Sequence, residues 1–273
     1  MDYRYLALEQ YKDASHLSAR IHLHQQFSTN PYGWFKWVFD QLRLPPDSHV
    51  LELGCGPGTL WMENEHRIPS GWHVTLSDFS PGMVLEAKNH LDHSRKDFTF
   101  EVSNGMAIPF PKETFDVIIG NHVLFHFPDR VRALGEITRV LKPDGQLFAS
   151  TNGENHMLEL SQIMDRAAIS AGKHYSPAFS AAKFTLENGS GQLKPFFKHI
   201  AVHHYDDALV ITETQPLVAY ILSMVPHGGV IHEAEFIENL SRHINNLIKQ
   251  NGAVNIQKST GLFICDQGVT RCD

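Results

Sequence analysis

Val50-Leu51-Glu52-Leu53-Gly54-Cys55-Gly56-Pro57-Gly58-Thr59-Leu60 is an apolar run, a glycine-dense turn and the start of a helix. The run is too short for a helix of its own and suits a parallel strand buried on both faces. Glycine at 54, 56 and 58 lets the backbone turn tightly and lets a ligand lie against the main chain. The helix that follows aims its free N–H groups and positive dipole end back at the turn. That arrangement favours a carboxylate or a polar nucleoside edge. A dinucleotide-binding fingerprint spaces its glycines G-x-G-x-x-G. Here the spacing is G-x-G-x-G, with Glu52 two residues ahead. A loop that merely turns the chain can carry the same glycines, so the reading depends on companions elsewhere.

Composition bounds the answer. The chain has 273 residues, 42% of them hydrophobic, enough for one large domain or a domain with a modest cap. Lys and Arg total 23 against 30 Asp and Glu, a formal charge of -7. Nucleic-acid affinity depends on clustered Lys and Arg, so no nucleic-acid partner is expected. The 18 His are scattered. His22/His24, His122/His126 and His203/His204 are close pairs, and none belongs to a full metal-ligand pattern. Cys55, Cys265 and Cys272 form no disulfide framework, and the charged residues 1–10 do not read as a signal peptide. No run approaches the ~18 apolar residues of a membrane helix. A soluble cytoplasmic protein with no membrane span is expected.

Ahead of the turn, Leu17, Ile21 and His24 share a helical face, and Asn30-Pro31-Tyr32-Gly33 marks a turn. Trp34 to Leu42 reads as a helix with Phe35, Val38, Phe39 and Leu42 on one side. After the glycines, Thr59 to Arg67 is a crossover helix, and His73 to Asp78 is a second strand ending in a carboxylate. Ser80 caps the next helix, with Pro81 at its first position and Met83, Val84, Ala87 and Leu91 on its buried face. Phe98 to Val102 and Phe115 to Ile119 are the third and fourth strands. Arg130 to Leu141 is a helix with Val131, Leu134, Ile137 and Leu141 in register. Lys142-Pro143-Asp144-Gly145 turns tightly into a fifth strand, Gln146 to Ser150.

Strand and helix thus alternate within 50–151, the pattern of a doubly wound sheet. Such sheets bind ligands beyond the carboxyl ends of their strands, where strand order reverses. The glycine turn, Asp78, Asn104 and Asn121 all fall at such ends. Beyond Thr151 the pattern changes. It reads as a long amphipathic helix (His156 to Ala171), a short helix within 184–197 capped by Thr185, and a strand over 197–205. Helices over 215–224 and 232–250 and a last strand over 253–265 follow.

With Glu52, the glycine stretch reads E-x-G-x-G-x-G and resembles the first motif of the class I S-adenosylmethionine-dependent methyltransferases. Its companions follow in order. Asp78 stands where a carboxylate hydrogen-bonds ribose hydroxyls, and it would also complement the dipole of the helix starting at Ser80. Asn104-Gly105-Met106-Ala107-Ile108-Pro109-Phe110 is similar to the family's adenine motif, D-A-x-x-L-P-F, with Asn104 replacing the acid. An Asn carbonyl can still accept from the adenine amino group, without charge assistance. Phe115-Asp116-Val117-Ile118 and Leu141-Lys142-Pro143-Asp144-Gly145-Gln146-Leu147 resemble the family's fourth strand and K-P-x-G turn.

The resemblance covers about residues 48 to 150 and points to the ubiquinone/menaquinone-methyltransferase-like type. It implies an α/β, doubly wound, Rossmann-like, seven-stranded, mostly parallel sheet with helical N-terminal and inserted lid elements. The implied division is N-terminal lid helices over 1–30, a SAM-binding core over 31–153 and a helical cap over 154–194. The remainder of the core sheet would lie in 195–273, with a helical insertion at about 213–250.

The implied cofactor is S-adenosyl-L-methionine. Glu52, Gly54, Cys55, Gly56, Gly58, Asp78, Phe79, Asn104, Gly105, Met106 and Asn121 are its expected contacts. Tyr11 and Arg20 would close over it from the lid, with Arg20 facing its carboxylate. Each also has a plain structural use, Tyr11 in packing and Arg20 in water. A sulfonium methyl is already activated, so the protein must chiefly exclude water and set a nucleophile in line. A base is needed only for an acceptor that arrives protonated. His122 and His126 are the candidate bases, since an unshifted imidazole titrates near ~6.5; His126 can instead pack or cap the loop before Pro128. His227 is a further candidate. Trp34, Phe35, Trp37, Tyr175, Phe179, Phe184 and Tyr220 can roof an apolar pocket. The expected function is methyl transfer to an O, N or C atom of a small molecule. The alternatives are a non-catalytic SAM/SAH-binding regulatory protein and a nucleotide-dependent oxidoreductase, the latter against the glycine spacing.

Overall fold

A computed structural model describes residues 15–172, 183–224 and 232–266. Short runs of apolar residues form the expected parallel strands: β1 (His49–Leu53), β2 (His73–Asp78), β3 (Asp97–Val102), β4 (Phe115–Gly120) and β5 (Leu141–Asn152). Two later strands, β6 (His199–His204) and β9 (Thr260–Asp266), complete a seven-stranded sheet in the order β3-β2-β1-β4-β5-β9-β6. β9 runs antiparallel to both its neighbours. Successive strands step outward from β1 through β2 to β3, then return to β4 beside β1. The crevice created by that reversal lies beyond the carboxyl ends of β1 and β4.

The period of two along each strand sends side chains to two cores. Val50 and Val117 point toward α2 (Trp34–Gln41), α3 (Thr59–Asn64) and α4 (Pro81–Leu91), where Val38, Trp61 and Ala87 are buried. Leu51, Leu53 and Ile118 point the other way, toward α5 (Arg130–Val140) and α7 (Leu186–Leu193). A third core lies apart from the large sheet. It joins α1 (Ser15–Phe27), α6 (Leu158–Ser170), α8 (Thr214–Met224) and α9 (Ala234–Asn251) to a two-stranded sheet of β7 (Ala208–Ile211) and β8 (Val254–Gln257). Leu23, Met164, Ile221, Phe236 and Ile256 are fully buried there. Residues 154–194 therefore serve two cores: α6 packs with the third, and Phe184, Leu186 and Leu193 pack on the large sheet.

Several local expectations are corrected. No regular helix joins β3 to β4; Arg139 instead holds that connection, donating to Phe110 O and Ile108 O at 2.8 Å each. Val131 is 70% exposed, and α5 buries Ala133, Leu134, Ile137 and Val140. At roughly 100° per residue Val131 lies about 120° round the helix from Ile137, outside the buried stripe. The Lys142–Gly145 turn is a bulge within β5, because Phe115 pairs Leu141 and Val117 pairs Gln146. The single strand expected over 253–265 is two strands in different sheets. The chain leaves β8 at Lys258 and Ser259, whose polar groups are held by Asp207 and His156. Phe184 roofs no pocket: it is fully buried against Phe263, ring centroids 5.6 Å apart.

Candidate active site

Gly54, Gly56 and Gly58 have φ of 70°, 53° and 80°, a region that L side chains adopt at a cost. The Gly54 and Cys55 N–H groups both donate to Ser77 O, at 2.8 and 3.0 Å, which fastens the turn to the end of β2. The turn then enters α3, where Trp61 N–H and Met62 N–H donate back to Gly58 O at 3.1 Å. A Cβ on Gly54 would stand 2.6 Å from Val123 Cγ2. Gly54→Ala should therefore cost about 2–4 kcal/mol from strain and overpacking together. Urea unfolding would read this as a lower midpoint; an unchanged midpoint would mean the loop after β4 gives way freely.

Asp78 closes the turn from the neighbouring strand. Its Oδ2 accepts from Gly56 N–H at 3.0 Å and its Oδ1 from Ser80 N–H at 2.8 Å. Burial raises its pKa, and the backbone N–H groups of Ser80, Gly56 and Phe79 act against that rise. The carboxylate sits at the start of α4 and at the lip of the glycine turn. Phe79 is half-buried beside it. Ser80 caps α4 by accepting from Met83 N–H at 3.3 Å, as its sequence position predicts.

Two motif residues turn away from the crevice. Glu52, 2% exposed, accepts from Trp61 Nε1–H at 2.7 Å beneath the turn. Burial pushes its pKa up to about 8, against the Trp61 hydrogen bond. Cys55 is buried with its thiol pKa pushed well up, by burial first and then by Asp78 and Glu52, so it packs and does not react. Past β3, Asn104 shapes its own loop. Its Oδ1 accepts from Met106 N–H at 2.9 Å and its main-chain O from Ala107 N–H at 2.8 Å. One lone pair expected for an adenine amino group is thus used internally, and the side-chain amide also has Nδ2–H to offer. Gly105 lies so close to Phe127 that a Cβ would stand 2.5 Å from its ring. Met106 is half-buried at the rim, its O accepting from Arg132 Nε at 2.9 Å.

Beyond β4, Asn121 Oδ1 accepts from Ser150 Oγ at 2.6 Å and from Trp34 Nε1–H at 3.2 Å, tying α2 to the ends of β4 and β5. His122 takes a left-handed φ of 54°, with its N–H on Ser150 Oγ at 2.8 Å. That turn lays its ring 5.1 Å from Trp34. Trp34 and Trp37 each meet Tyr205 at 5.3 Å, a residue with no motif to mark it in the sequence. His126 follows in a short 3-10 turn, ring 4.5 Å from Phe125.

Sequence reasoning missed two further histidines, His24 on α1 and His156 ahead of α6. His156 Nδ1 lies 3.0 Å from Ser259 O and 3.2 Å from Ser259 N. Burial lowers the pKa of His24 and His122 to about 3 and of His126 and His156 to about 4. After burial, the charge of Lys258 acts on His24, His122 and His156, and that of Arg20 on His126. These imidazoles are neutral at pH 7. His24 could have been flagged by its place on the inward face of α1; His156 carries no comparable signal. Arg20 lies on α1, bonded to Ser223 of α8. Tyr11, Tyr175, Phe179, His227 and Cys272 lie outside the described residues. Among the described residues, no group of three or more His, Cys, Asp or Glu could hold a metal ion, and no helix is long and apolar enough to cross a membrane.

Residues 51–149 match the family model described as a methyltransferase domain. A ubiquinone biosynthesis O-methyltransferase of Coxiella burnetii is 30% identical over 129 residues, 47% of this chain and 53% of that protein. A demethylmenaquinone methyltransferase of Lactococcus lactis is 39% identical over 100 residues, 36% of this chain and 39% of that protein. The chain spans about half the length, or less, of these curated relatives. Among solved structures, the YcgJ protein of Bacillus subtilis aligns with a TM-score of 0.57 at 16% identity, covering 86% of this chain and 98% of that one. A phosphoethanolamine N-methyltransferase of Haemonchus contortus, in complex with phosphomonomethylethanolamine and S-adenosylhomocysteine, also aligns at 0.57. It is 17% identical, with 98% of this chain and 60% of that one covered.

Proposed function

We propose that this chain, whose residues 51–149 belong to the methyltransferase-domain family, is an S-adenosylmethionine-dependent methyltransferase acting on a small molecule. The observation that carries the reading is the hydrogen bond from Gly56 N–H to Asp78 Oδ2 at the reversal of strand order. It sets a glycine-rich turn and a carboxylate at one lip, the pair a nucleoside with a charged tail requires.

The residues fit the cofactor. The glycine turn would face its amino-acid portion, the remaining lone pairs of Asp78 its ribose, and Asn104, Gly105 and Met106 its adenine. When bound, the cofactor supplies an electrophilic methyl group on a sulfonium. The chain's own work is to exclude water and orient the acceptor. Trp34, held by Asn121, lies against the His122 ring past the end of β4, and His126 follows in the next turn. At neutral pH both imidazoles are neutral hydrogen-bond acceptors. Conjugate acids this strong make poor proton stores, which suits an acceptor with a readily released proton, such as a phenol or enol O–H. The quinone-pathway names of the relatives agree with an acceptor of that kind.

Calorimetric titration with S-adenosylmethionine, S-adenosylhomocysteine and NAD tests the reading. Binding of the first two and silence from NAD is expected. Asp78→Asn should weaken S-adenosylhomocysteine about 10- to 100-fold, because the amide presents a donor to an N–H or a hydroxyl. Undiminished binding by that variant would remove Asp78 from the site. Demethylated cofactor formed with an acceptor would separate an enzyme from a binding protein.

A further inference from the structure

Val123 is a wedge between the ends of two neighbouring strands. Its methyl groups fill the space that side chains at 54 and 120 would take. A Cβ on Gly54 would stand 2.6 Å from its Cγ2, and a Cβ on Gly120 would stand 3.2 Å from its Cγ1. Gly54 follows β1 as the first residue of the glycine turn, and Gly120 ends β4. Phe127 does the same at the 104–110 loop, where a Cβ on Gly105 would stand 2.5 Å from Cζ of its ring. Both side chains therefore lie against main chain that glycine alone leaves open. Leu124, fully buried between them, pins the middle of the segment.

Each wedge is next in sequence to a candidate base: Val123 to His122, and Phe127 to His126. His122 is held at a left-handed φ of 54° with its N–H on Ser150 Oγ, and His126 N–H donates to Val123 O at 2.9 Å. The His122 ring lies 5.1 Å from Trp34, whose indole N–H donates to Asn121 Oδ1. A non-glycine residue keeps a left-handed φ only where its surroundings over-determine it. Here those surroundings include both glycine-bearing loops. Close packing passes small displacements on. A shift of the glycine turn thus reaches His122 and Trp34 through Val123, and a shift of the 104–110 loop reaches His126 through Phe127.

We infer that Val123 and Phe127 are positioning residues, through which a cofactor seated on the two glycine-bearing loops sets His122, His126 and Trp34 for the acceptor. This rests on the methyltransferase reading. The acceptor end of the site is then completed only when the cofactor is in place.

The test follows the full chain, carrying isotope-labelled tryptophan and histidine, by NMR as S-adenosylhomocysteine is added, with calorimetry in the same buffer to read binding. The four indole N–H signals are assigned from Trp→Phe variants, and those of His122 and His126 from His→Gln variants. Trp72, whose indole N–H donates to Pro45 O ahead of β1, is the internal reference. Saturation should shift the Trp34, His122 and His126 signals and leave Trp72 in place. Val123→Ala should bind S-adenosylhomocysteine within about ten-fold of the parent while its Trp34 and His122 responses fall by about half or more. Val123→Thr, which keeps the branched shape, should restore them. Phe127→Leu should diminish the His126 response alone. Val123→Cys, which removes one arm of the wedge, is the milder variant if Val123→Ala does not fold. Binding without a Trp34 or His122 response in the parent overturns the inference, as does an undiminished response in Val123→Ala. So does a loss of binding beyond about ten-fold in Val123→Ala, which would make the wedge a support of the glycine turn alone. A calorimetric blank on the folded parent would instead remove the cofactor reading, and this inference with it.

Discussion

Asp207→Ala should cost about 3–5 kcal/mol of stability and leave the N-terminal helix poorly attached. Asp207 is buried, its side chain 1% exposed, and it pairs with Lys258, whose side chain is 8% exposed. It also accepts from Ser28 Oγ at 2.7 Å, from Asn30 N–H at 3.1 Å and from Ala208 N–H at 2.8 Å. Burial would raise its pKa, but Lys258, Ser28 and Asn30 together hold it below the usual carboxylate range. Ser28 bridges to Leu209 of β7, and Thr29 N–H donates to Ala208 O at 2.9 Å. One carboxylate thus fastens the end of α1, the start of β7 and the exit from β8. Removing it strands a buried ammonium and the Asn30 N–H, the latter worth about 1–3 kcal/mol when unsatisfied, while Ala208 N–H keeps Thr29 Oγ1 at 3.0 Å. Urea unfolding measures the loss. The double variant Asp207→Asn with Lys258→Met should recover much of it, because neither charge then remains buried. A single variant within 1 kcal/mol of the parent, on the scale of an exposed pair, would mean that water reaches Lys258 and that the hub is peripheral.

That hub also marks where sequence reading stops. The strands β1, β2, β4 and β5 announce themselves by short apolar runs with turn residues at each end, and α4 by Ser80, Pro81 and an inward stripe. The glycine turn is legible because its chemistry is local: three residues with positive φ can be inferred from three glycines. The third core is not local. Asp207, Lys258, Ser28 and His156 are distant in sequence, and their residue types give no sign that they meet. β7 has only four residues, too few for a period to show. The same limit explains the site. The glycine-turn side was readable as motifs, while Tyr205, His24 and His156 reach Trp34, Tyr220 and Ser259 only through tertiary packing. Glu52 shows the converse: a motif residue whose carboxylate serves Trp61 beneath the turn.

Stability should be greatest near pH ~7 and fall steeply on the acid side. The folded-state pKa values of His24, His122, His126 and His156, at about 3 to about 4, lie below the unfolded imidazole value of ~6.5. Between those limits the unfolded chain binds more protons, so stability rises with pH and is complete above ~6.5. Glu52 runs the other way. Its pKa rises from 4.5 to about 8, so the folded chain holds the extra proton and stability declines as pH climbs through that window. Between pH ~5 and ~6, four imidazoles opposed by one carboxyl leave about three protons taken up on unfolding. The upper limit of the slope is about 4 kcal/mol per pH unit. Above pH ~7.5 the Glu52 carboxyl gives a shallow decline of at most about 1.4 kcal/mol per unit. Urea unfolding at half-unit steps from pH 4.5 to 8 measures both limbs, and His156→Gln should flatten the acid limb by one proton. A level profile from 5 to 6.5 would mean that the imidazoles titrate normally in a wet chamber. In that event the proposed methyl transfer would speed up through pH ~6.5 as the imidazoles lose their protons. With the imidazoles neutral throughout, the proposed transfer follows the acceptor's own ionisation, which ties its pH dependence and the stability curve to the same desolvated imidazoles.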